Sequence, residues 1–404
     1  MNIVIVNTVS LNGGDAAIVH GILAILERAF GQARICVIDD QASVARRLFP
    51  HLEFEQRFKP AAPRNKFARF AHQLLFGSFM PLLGKRFGYH SNRRRYANAD
   101  LVISTGGTYL VEHYNIRERF VQLWLAIETR RPVVLFTQSF GPFQSDFNKR
   151  WMRYVAKRAE LVMVRDALSV EHLTQIGAST ERVVVTADAA FALADLTKIA
   201  SSTERKSGSV LRVGVSVRFW KHYRSGDRYM QFASYVAAVA ALIERLLTTK
   251  DAEVTFISTC QGIPEYAFDD SSCAEMVLSL VRPEHRSKIS LNKDFHRPSE
   301  LMEILSTFDM VVATRMHMAI LAMCVGVPTL GIAYEFKTRE LFKKLGLEQW
   351  VVDIEQCSVD LLPELAGRMS ESLGDVRRQL STVIPKEQIS AFQIVDRLKA
   401  LMRT

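Results

Sequence analysis

Arg315 and His317 stand two residues apart in the run Thr314-Arg315-Met316-His317, and a guanidinium beside an imidazole suits anion chemistry. A guanidinium binds carboxylate or phosphate through paired N–H groups. An imidazole exchanges protons readily because its intrinsic pKa lies near neutrality. The flanking residues say where the pair stands. Met310–Ala313 reads as a buried strand, an apolar helix of small residues runs to Gly326, and Val327–Ile332 is the next strand. The pair therefore sits at the carboxyl end of a parallel strand and at the mouth of a helix. Open α/β sheets bind ligands at that place, and a helix N-terminus favours anions. The competing expectation is that Arg315 pairs with a carboxylate and His317 fills the first helical turn. Burying two cationic-capable residues without partners is costly, which weighs towards a ligand.

Further strand-end loops carry polar chemistry. Asn12-Gly13-Gly14-Asp15 follows the first strand and opens a helix, and its glycines let backbone N–H groups approach a ligand. Asp15 either accepts a proton from a hydroxyl or caps that helix. Ser104-Thr105-Gly106-Gly107-Thr108 is a second such turn, with Glu112, His113 and Tyr114 close behind. Gln138-Ser139-Phe140-Gly141-Pro142 is a third. Arg165-Asp166 suits a structural ion pair as well as a site, and Thr186–Phe191 follows another strand. In the second half Arg218 ends a strand and is placed to clamp an anion together with Arg315. Glu335 and Lys337 follow the strand after the Arg-Met-His run and line the same rim. Cys260 has no base near it in sequence and is not read as a nucleophile.

The elements that position these loops alternate. Strands at Asn2–Asn7, Arg34–Ile38, Leu101–Ser104, Pro132–Gln138, Leu161–Arg165 and Val183–Thr186 are separated by helical patterns. That rhythm implies a doubly wound, mostly parallel sheet. Residues 196–210 are polar, Ser-rich and aperiodic, and read as a linker. The rhythm restarts at Val213–Val217 and continues through Glu253–Ser258, Lys288–Leu291 and Met310–Ala313, with helices at Leu362–Leu373 and Asp375–Leu380 closing the chain. The expected fold is α/β, with two Rossmann-like doubly wound domains facing across a cleft, a GT-B-like architecture. Its domains are 1–195, with a basic insert at about 60–96, and 211–404. Neither half has a G-x-G-x-x-G followed by an acidic residue or a P-loop lysine, so a nicotinamide, flavin or NTPase site is unsupported.

Composition narrows the class. The chain has 404 residues, 48% hydrophobic and 23% charged, as in globular proteins. Five scattered cysteines lack metal-ligand spacing, and their odd number argues against a disulfide framework, so a reducing cytoplasm is expected. The N-terminus reads as a strand rather than a signal peptide, and no apolar run of spanning length is expected. The net charge is +10 and the pI near 9.4. Arg64, Lys66, Arg69, Lys85, Arg86 and Arg93–Arg95 flank the apolar run Leu74–Gly84 with no acid among them. That pattern suits contact with an anionic membrane surface or a packed amphipathic helix pair. No nucleic-acid signature accompanies it.

In order along the chain, Asn12–Ile18, Ile103–Gly107, Phe136–Pro142, Val164–Ser169, Thr186–Phe191, Val215–Arg218 and Thr314–Lys337 resemble the polysaccharide pyruvyltransferase family. Asp188-Ala189-Ala190-Phe191 departs from the Asp-Pro-Ala-Phe common there, and Met316 and Met318 surround the Arg-x-His pair. The resemblance implies phosphoenolpyruvate as donor, no bound metal or other cofactor, and a pyruvate ketal formed on a sugar of a polysaccharide or its lipid-linked precursor. Arg218 and Arg315 would hold the donor's carboxylate and phosphate, with Glu335 and Lys337 at the rim. His317 would act near the enol carbon or leaving phosphate. Asp15 would orient the acceptor, beside Gly13, Gly14, Gly106, Gly107 and Gln138. The membrane-facing insert would keep a cytoplasmic enzyme near a lipid-linked acceptor. Two other readings stay open: a nucleotide-sugar-dependent glycosyltransferase of the same architecture, and a non-catalytic sugar- or anion-binding member of an assembly complex.

Overall fold

The computed structural model describes residues 1–57, 90–112, 116–205, 210–224 and 226–402. Most of the basic insert, with His113 and Tyr114, lies outside the described residues. The chain forms two compact units. The first comprises Met1–Ser10, Ile22–Ala189 and Ala391–Thr404, and the second Leu11–Gly21 and Ala190–Ser390.

The first unit is built on β1 (Asn2–Val6), α1 (Gly13–Phe30, whose first turns count with the second unit), β2 (Arg34–Asp39), α2 (Ala42–Leu48) and β3 (Glu53–Gln56). There follow α3 (His90–Ala97), β4 (Leu101–Ser104), β5 (Gly107–Leu110), α4 (Ile116–Glu128) and β6 (Val133–Phe140). It continues through α5 (Asp146–Arg158), β7 (Leu161–Val164), α6 (Ala167–Gln175) and β8 (Val183–Val185). The strands pair in the order β3-β2-β1-β4-β6-β7-β8, with β5 added to β6, and every pairing is parallel. β6 is buried along its whole length, as a central strand covered on both faces must be.

The second unit holds α7 (Leu196–Glu204), β9 (Leu211–Ser216), α8 (Arg228–Thr249), β10 (Ala252–Phe256), α9 (Ser271–Leu280) and β11 (Ile289–Leu291). Then come α10 (Pro298–Leu305), β12 (Met310–Ala313), α11 (Met316–Met323), β13 (Thr329–Ala333), α12 (Phe336–Lys344) and β14 (Val351–Asp353). α13 (Leu361–Glu371), α14 (Leu373–Phe392) and α15 (Val395–Leu401) end the chain. The parallel sheet order is β11-β10-β9-β12-β13-β14, so the chain leaves β9 in one direction and returns beside it as β12. The carboxyl ends of β9 and β12 therefore flank the switch point of this sheet, and β1 and β4 flank that of the first.

Three expectations need correcting. Residues 196–210 are not a plain linker, because α7 forms at 196–204 with the Asp195 carboxylate accepting from the Lys198 N–H at 3.0 Å. Ile199 is buried, and the cap, the Lys198–Glu303 ion pair and the Arg205 bonds to the Ser306, Thr307 and Phe308 carbonyls order this polar helix. The unit boundaries are also not sequential, since Leu11–Gly21 counts with the second unit and Ala391–Thr404 with the first. Finally, α14 runs through Pro385 to Phe392, well past the Leu380 expected as its end. Among the described residues one helix, Arg228–Thr249, is long and apolar enough to cross a membrane, but half of its apolar window is buried inside the protein, as for a core helix.

Candidate functional site

α11 carries the Arg-Met-His run, and its placement follows from burial. Seven of its residues, Met316 and Met318–Met323, are buried. Each large apolar side chain among them contributes roughly 1.5–3 kcal/mol. Arg315 precedes this helix in extended conformation and His317 lies in its first turn. The two polar side chains thus stand on a support fixed by its apolar neighbours.

The Arg315 side chain does not point freely into a site. It is buried, and its Nε and Nη2 donate to Asp270 Oδ2 at 2.5 Å and Oδ1 at 2.8 Å. Asp270 lies just before α9, is itself buried, and also accepts from the Ser258 hydroxyl. Burial opposes the charge on Arg315, and the Asp270 carboxylate more than restores it, so the guanidinium stays protonated. This is the carboxylate-paired alternative for Arg315, and the reason is the cost of an unpaired buried cation. The pair joins the loop after β10 to the end of β12.

Arg218 behaves differently. It follows β9, is half-buried, and makes no ion pair among the described residues. Its Cζ lies 4.2 Å from the Tyr334 ring centroid and 5.1 Å from that of Trp220. Those two rings are 4.5 Å apart, and Arg218 Nε is buried with no hydrogen-bond partner. Tyr235, fully buried in α8, links the two sides of the switch point. Its hydroxyl lies 2.8 Å from Thr314 Oγ1 and accepts from the Arg218 N–H at 3.3 Å.

The Asn12–Asp15 turn belongs to this unit, not to the first as expected. The Gly13 N–H donates to the Thr259 carbonyl at 2.9 Å. A Cβ on Gly13 would lie 2.3 Å from that oxygen, and one on Gly14 would lie 2.8 Å from His317 Nδ1. Glycine is required at both positions by this close approach. The His317 imidazole is therefore walled by the Gly14 backbone. Asn12 Oδ1 accepts from the Gly14 N–H at 3.0 Å and from the Asp15 N–H at 3.4 Å, so Asn12 is the capping side chain and Asp15 stands in the first turn of α1. Tyr266 joins the cluster: burial, Cys260 and Asp15 raise its phenol pKa, while a hydrogen bond with Asn12 opposes the rise. Burial pushes the Cys260 thiol up to about 11, which leaves it protonated and unreactive at neutral pH. At the rim, Glu335 and Lys337 pair with each other at 2.7 Å.

In the first unit Gly106 and Gly107 are buried in the turn after β4. Gln138 is fully buried, and its Nε2 donates to Ser104 Oγ at 3.0 Å and to the Thr105 carbonyl at 2.8 Å. Asn7, at φ 62°, donates from Nδ2 to the same Ser104 Oγ at 3.1 Å. Asn7 Oδ1, Thr105 Oγ1 and Gln138 Oε1 are buried without a partner. Arg165 pairs with Asp188 at 2.6 Å and donates to the Ser139 hydroxyl at 2.8 Å, while Asp166 caps α6 through the Ser169 N–H. Glu112 accepts from the Ser145 N–H and Asn148. In the insert, Arg95 is engaged by Glu53 at 2.6 Å and Glu55 at 2.5 Å.

The structure thus brings together Gly13, Gly14, Asp15, Arg218, Arg315 and His317 in one unit, and sets Gly106, Gly107 and Gln138 in the other. Sequence reasoning missed Asp270, Trp220, Tyr334, Tyr235 and Tyr266. Trp220 and Tyr334 leave a weak trace, as large aromatics just beyond strand ends. Asp270 leaves one as an acid opening a helix in the same half as two arginines. Among the described residues no group of three or more His, Cys, Asp or Glu is placed to hold a metal ion.

Comparisons with known proteins give a family and a fold. The family model described as polysaccharide pyruvyl transferase matches residues 12–335. The amylovoran biosynthesis protein AmsJ of Erwinia amylovora is 25% identical over 311 residues, covering 75% of this chain and 73% of that protein. Among solved structures, Anabaena HepE in complex with UDP and glucose superposes with a TM-score of 0.60 at 14% identity, covering 99% of both chains. The S. aureus MnaA–UDP co-structure does so with a TM-score of 0.61 at 12% identity, covering 100% of this chain and 97% of that one. The UDP-GlcNAc 2-epimerase of Methanocaldococcus jannaschii gives 0.58 at 9% identity, over 99% of this chain and 100% of the other. These likenesses show a GT-B-like α/β fold of two Rossmann-like domains.

Proposed function

Because the chain belongs to the polysaccharide pyruvyl transferase family, we propose that it transfers pyruvate from phosphoenolpyruvate to two hydroxyls of one sugar, forming a ketal and releasing phosphate. The acceptor is a sugar of an exopolysaccharide or its lipid-linked precursor, a reading supported by the relative named for amylovoran biosynthesis. The observation that carries the donor is Arg218, a cation held at the sheet's switch point by ring faces, with no carboxylate among the described residues to neutralise it. The donor has two anionic groups, and the α11 N-terminus supplies further positive potential beside that cation.

The chemistry asks for one proton delivered to the methylene carbon of the enol, which makes C2 electrophilic. The first sugar hydroxyl adds to C2 and releases its proton. Phosphate then departs from C2, and the second hydroxyl adds and releases another proton. One proton is thus returned for the one consumed, and the other leaves with phosphate. His317 is the acid/base group for this exchange, and its ring lies against Gly14, where a Cβ would clash with it. Asp15 orients the acceptor hydroxyl from the first turn of α1. Arg218 binds the donor directly. Arg315 acts through Asp270, which holds the loop after β10 in place. Glu335 and Lys337 line the rim as a neutralised pair, and Gly106, Gly107 and Gln138 serve the acceptor. No cofactor is invoked beyond phosphoenolpyruvate as co-substrate. The enzyme works in the cytoplasm, with Arg64–Arg95 meeting an anionic membrane face. Equal sedimentation with anionic and neutral liposomes would remove that last element.

The test is thermal stabilisation by phosphoenolpyruvate, compared with UDP- and GDP-sugars, in wild type and Arg218→Ala. Stabilisation by phosphoenolpyruvate that disappears in the variant is expected. Stabilisation by a nucleotide-sugar alone would move the protein to the glycosyltransferases.

A further inference from the structure

Arg218 and Arg315 end neighbouring strands of one sheet, yet among the described residues only Arg315 of the two has a carboxylate. Glu335, next to Tyr334 in sequence, is occupied by Lys337. What touches Arg218 instead is a wall of two rings in mutual contact, Trp220 and Tyr334, with His222 edge-on to Trp220 at 5.2 Å. A ring face attracts a cation without cancelling its charge. The rings come from the ends of β9 and β13, which lie on either side of β12. A contact spanning those two strands fixes Arg218 relative to the Arg315–His317 run between them.

We infer that Trp220 and Tyr334 are positioning residues that hold Arg218 as an uncompensated cation for the anionic donor. The inference rests on the reading that Arg218 binds phosphoenolpyruvate. It adds that the rings, and no acidic partner, set the strength of that binding. A carboxylate in their place would fix the side chain equally well but would cancel the charge the donor needs. Aliphatic residues would leave the charge and lose the position.

The experiment uses the full chain and phosphoenolpyruvate as the probe. Steady-state kinetics are measured for Trp220→Leu, Tyr334→Leu, Trp220→Phe and Tyr334→Phe. The leucine variants are expected to raise KM for phosphoenolpyruvate about tenfold and to change kcat by less than about twofold. Their melting temperatures stay at the wild-type value, and the phenylalanine variants recover most of the loss because they keep a ring. Tryptophan emission gives a readout independent of turnover. A saturable change with phosphoenolpyruvate in wild type, absent in Trp220→Phe, supports the wall. Leucine variants with wild-type KM, or phenylalanine variants as impaired as the leucine ones, overturn it. If phosphoenolpyruvate still stabilises the protein through Arg218 while ring removal changes nothing, only the wall falls. If wild type shows no response to phosphoenolpyruvate by melting or emission, the donor reading falls and the wall with it.

Discussion

The two sheets end in opposite chemistry at equivalent places. At the switch point of the first unit the side chains are neutral: Asn7, Ser104, Thr105 and Gln138 hydrogen-bond among themselves and leave acceptor oxygens over. At the switch point of the second unit stand two guanidiniums and an imidazole, one guanidinium cancelled by Asp270 and the other resting on aromatic faces. The topology is the same in kind, parallel strands leaving a central strand in both directions. Sheet order therefore decides where a ligand can sit, and the side chains at the strand ends decide its charge. Neutral acceptor atoms suit a group that donates hydrogen bonds, such as a sugar hydroxyl. The uncompensated cation suits an anionic group.

The largest effect that would break this contrast is loss of the charge itself. Arg218→Ala is expected to lower kcat/KM by roughly two to three orders of magnitude, while unfolding free energy changes by about 1 kcal/mol or less. Equal losses of activity and stability would mean that Arg218 is merely structural. Asp270→Asn should show the reverse emphasis. It leaves a buried cation without its counter-charge and costs about 3–5 kcal/mol in denaturant unfolding. A small change there would return Arg315 to the ligand. Gly14→Ala drives a methyl into the His317 ring and is expected to cost about 1–3 kcal/mol, with a matching fall in turnover. Wild-type turnover in that variant would show that the imidazole position is not critical.

The two remaining effects are smaller. The Cys260 thiol is raised by burial from 9.0 to about 11, so the folded chain keeps a proton that the unfolded chain loses between those values. Stability from this group is complete below pH 9 and declines as pH rises from about 9 to 11. Replacing Cys260 with Ala should flatten that part of a denaturation-against-pH curve, and an unchanged slope would contradict the assignment. Asn7→Gly tests the neutral region. Glycine accepts the φ of 62° without strain, so the variant loses only the side-chain bonds, about 1 kcal/mol. Acceptor KM is expected to rise and donor KM to stay fixed.

Much of this arrangement could be read from the residues. The alternation of strands and helices fixed the fold class, and Met310–Ala313 followed by an apolar helix placed Arg315 and His317 at a strand end. Short elements were missed, among them Glu53–Gln56 and Val351–Asp353, because three or four residues carry little periodicity. The partners were missed for another reason. Asp270 lies 45 positions before Arg315, and a single chain offers no sign that the two meet. The Asn12–Asp15 turn was assigned to the wrong unit because proximity along the chain was taken for proximity in space. Its true neighbours, Thr259 and His317, are supplied by the second half.

That turn also constrains how the molecule can be made or divided. A gene fragment encoding 211–404 would look like a complete second domain by its strands, yet it would lack the glycines that wall the histidine. On the ribosome the order is reversed. The turn emerges long before Thr259 and His317 exist, and it must wait for their sheet to form. His317 therefore gains its glycine wall only once the strands of the second sheet have formed around it.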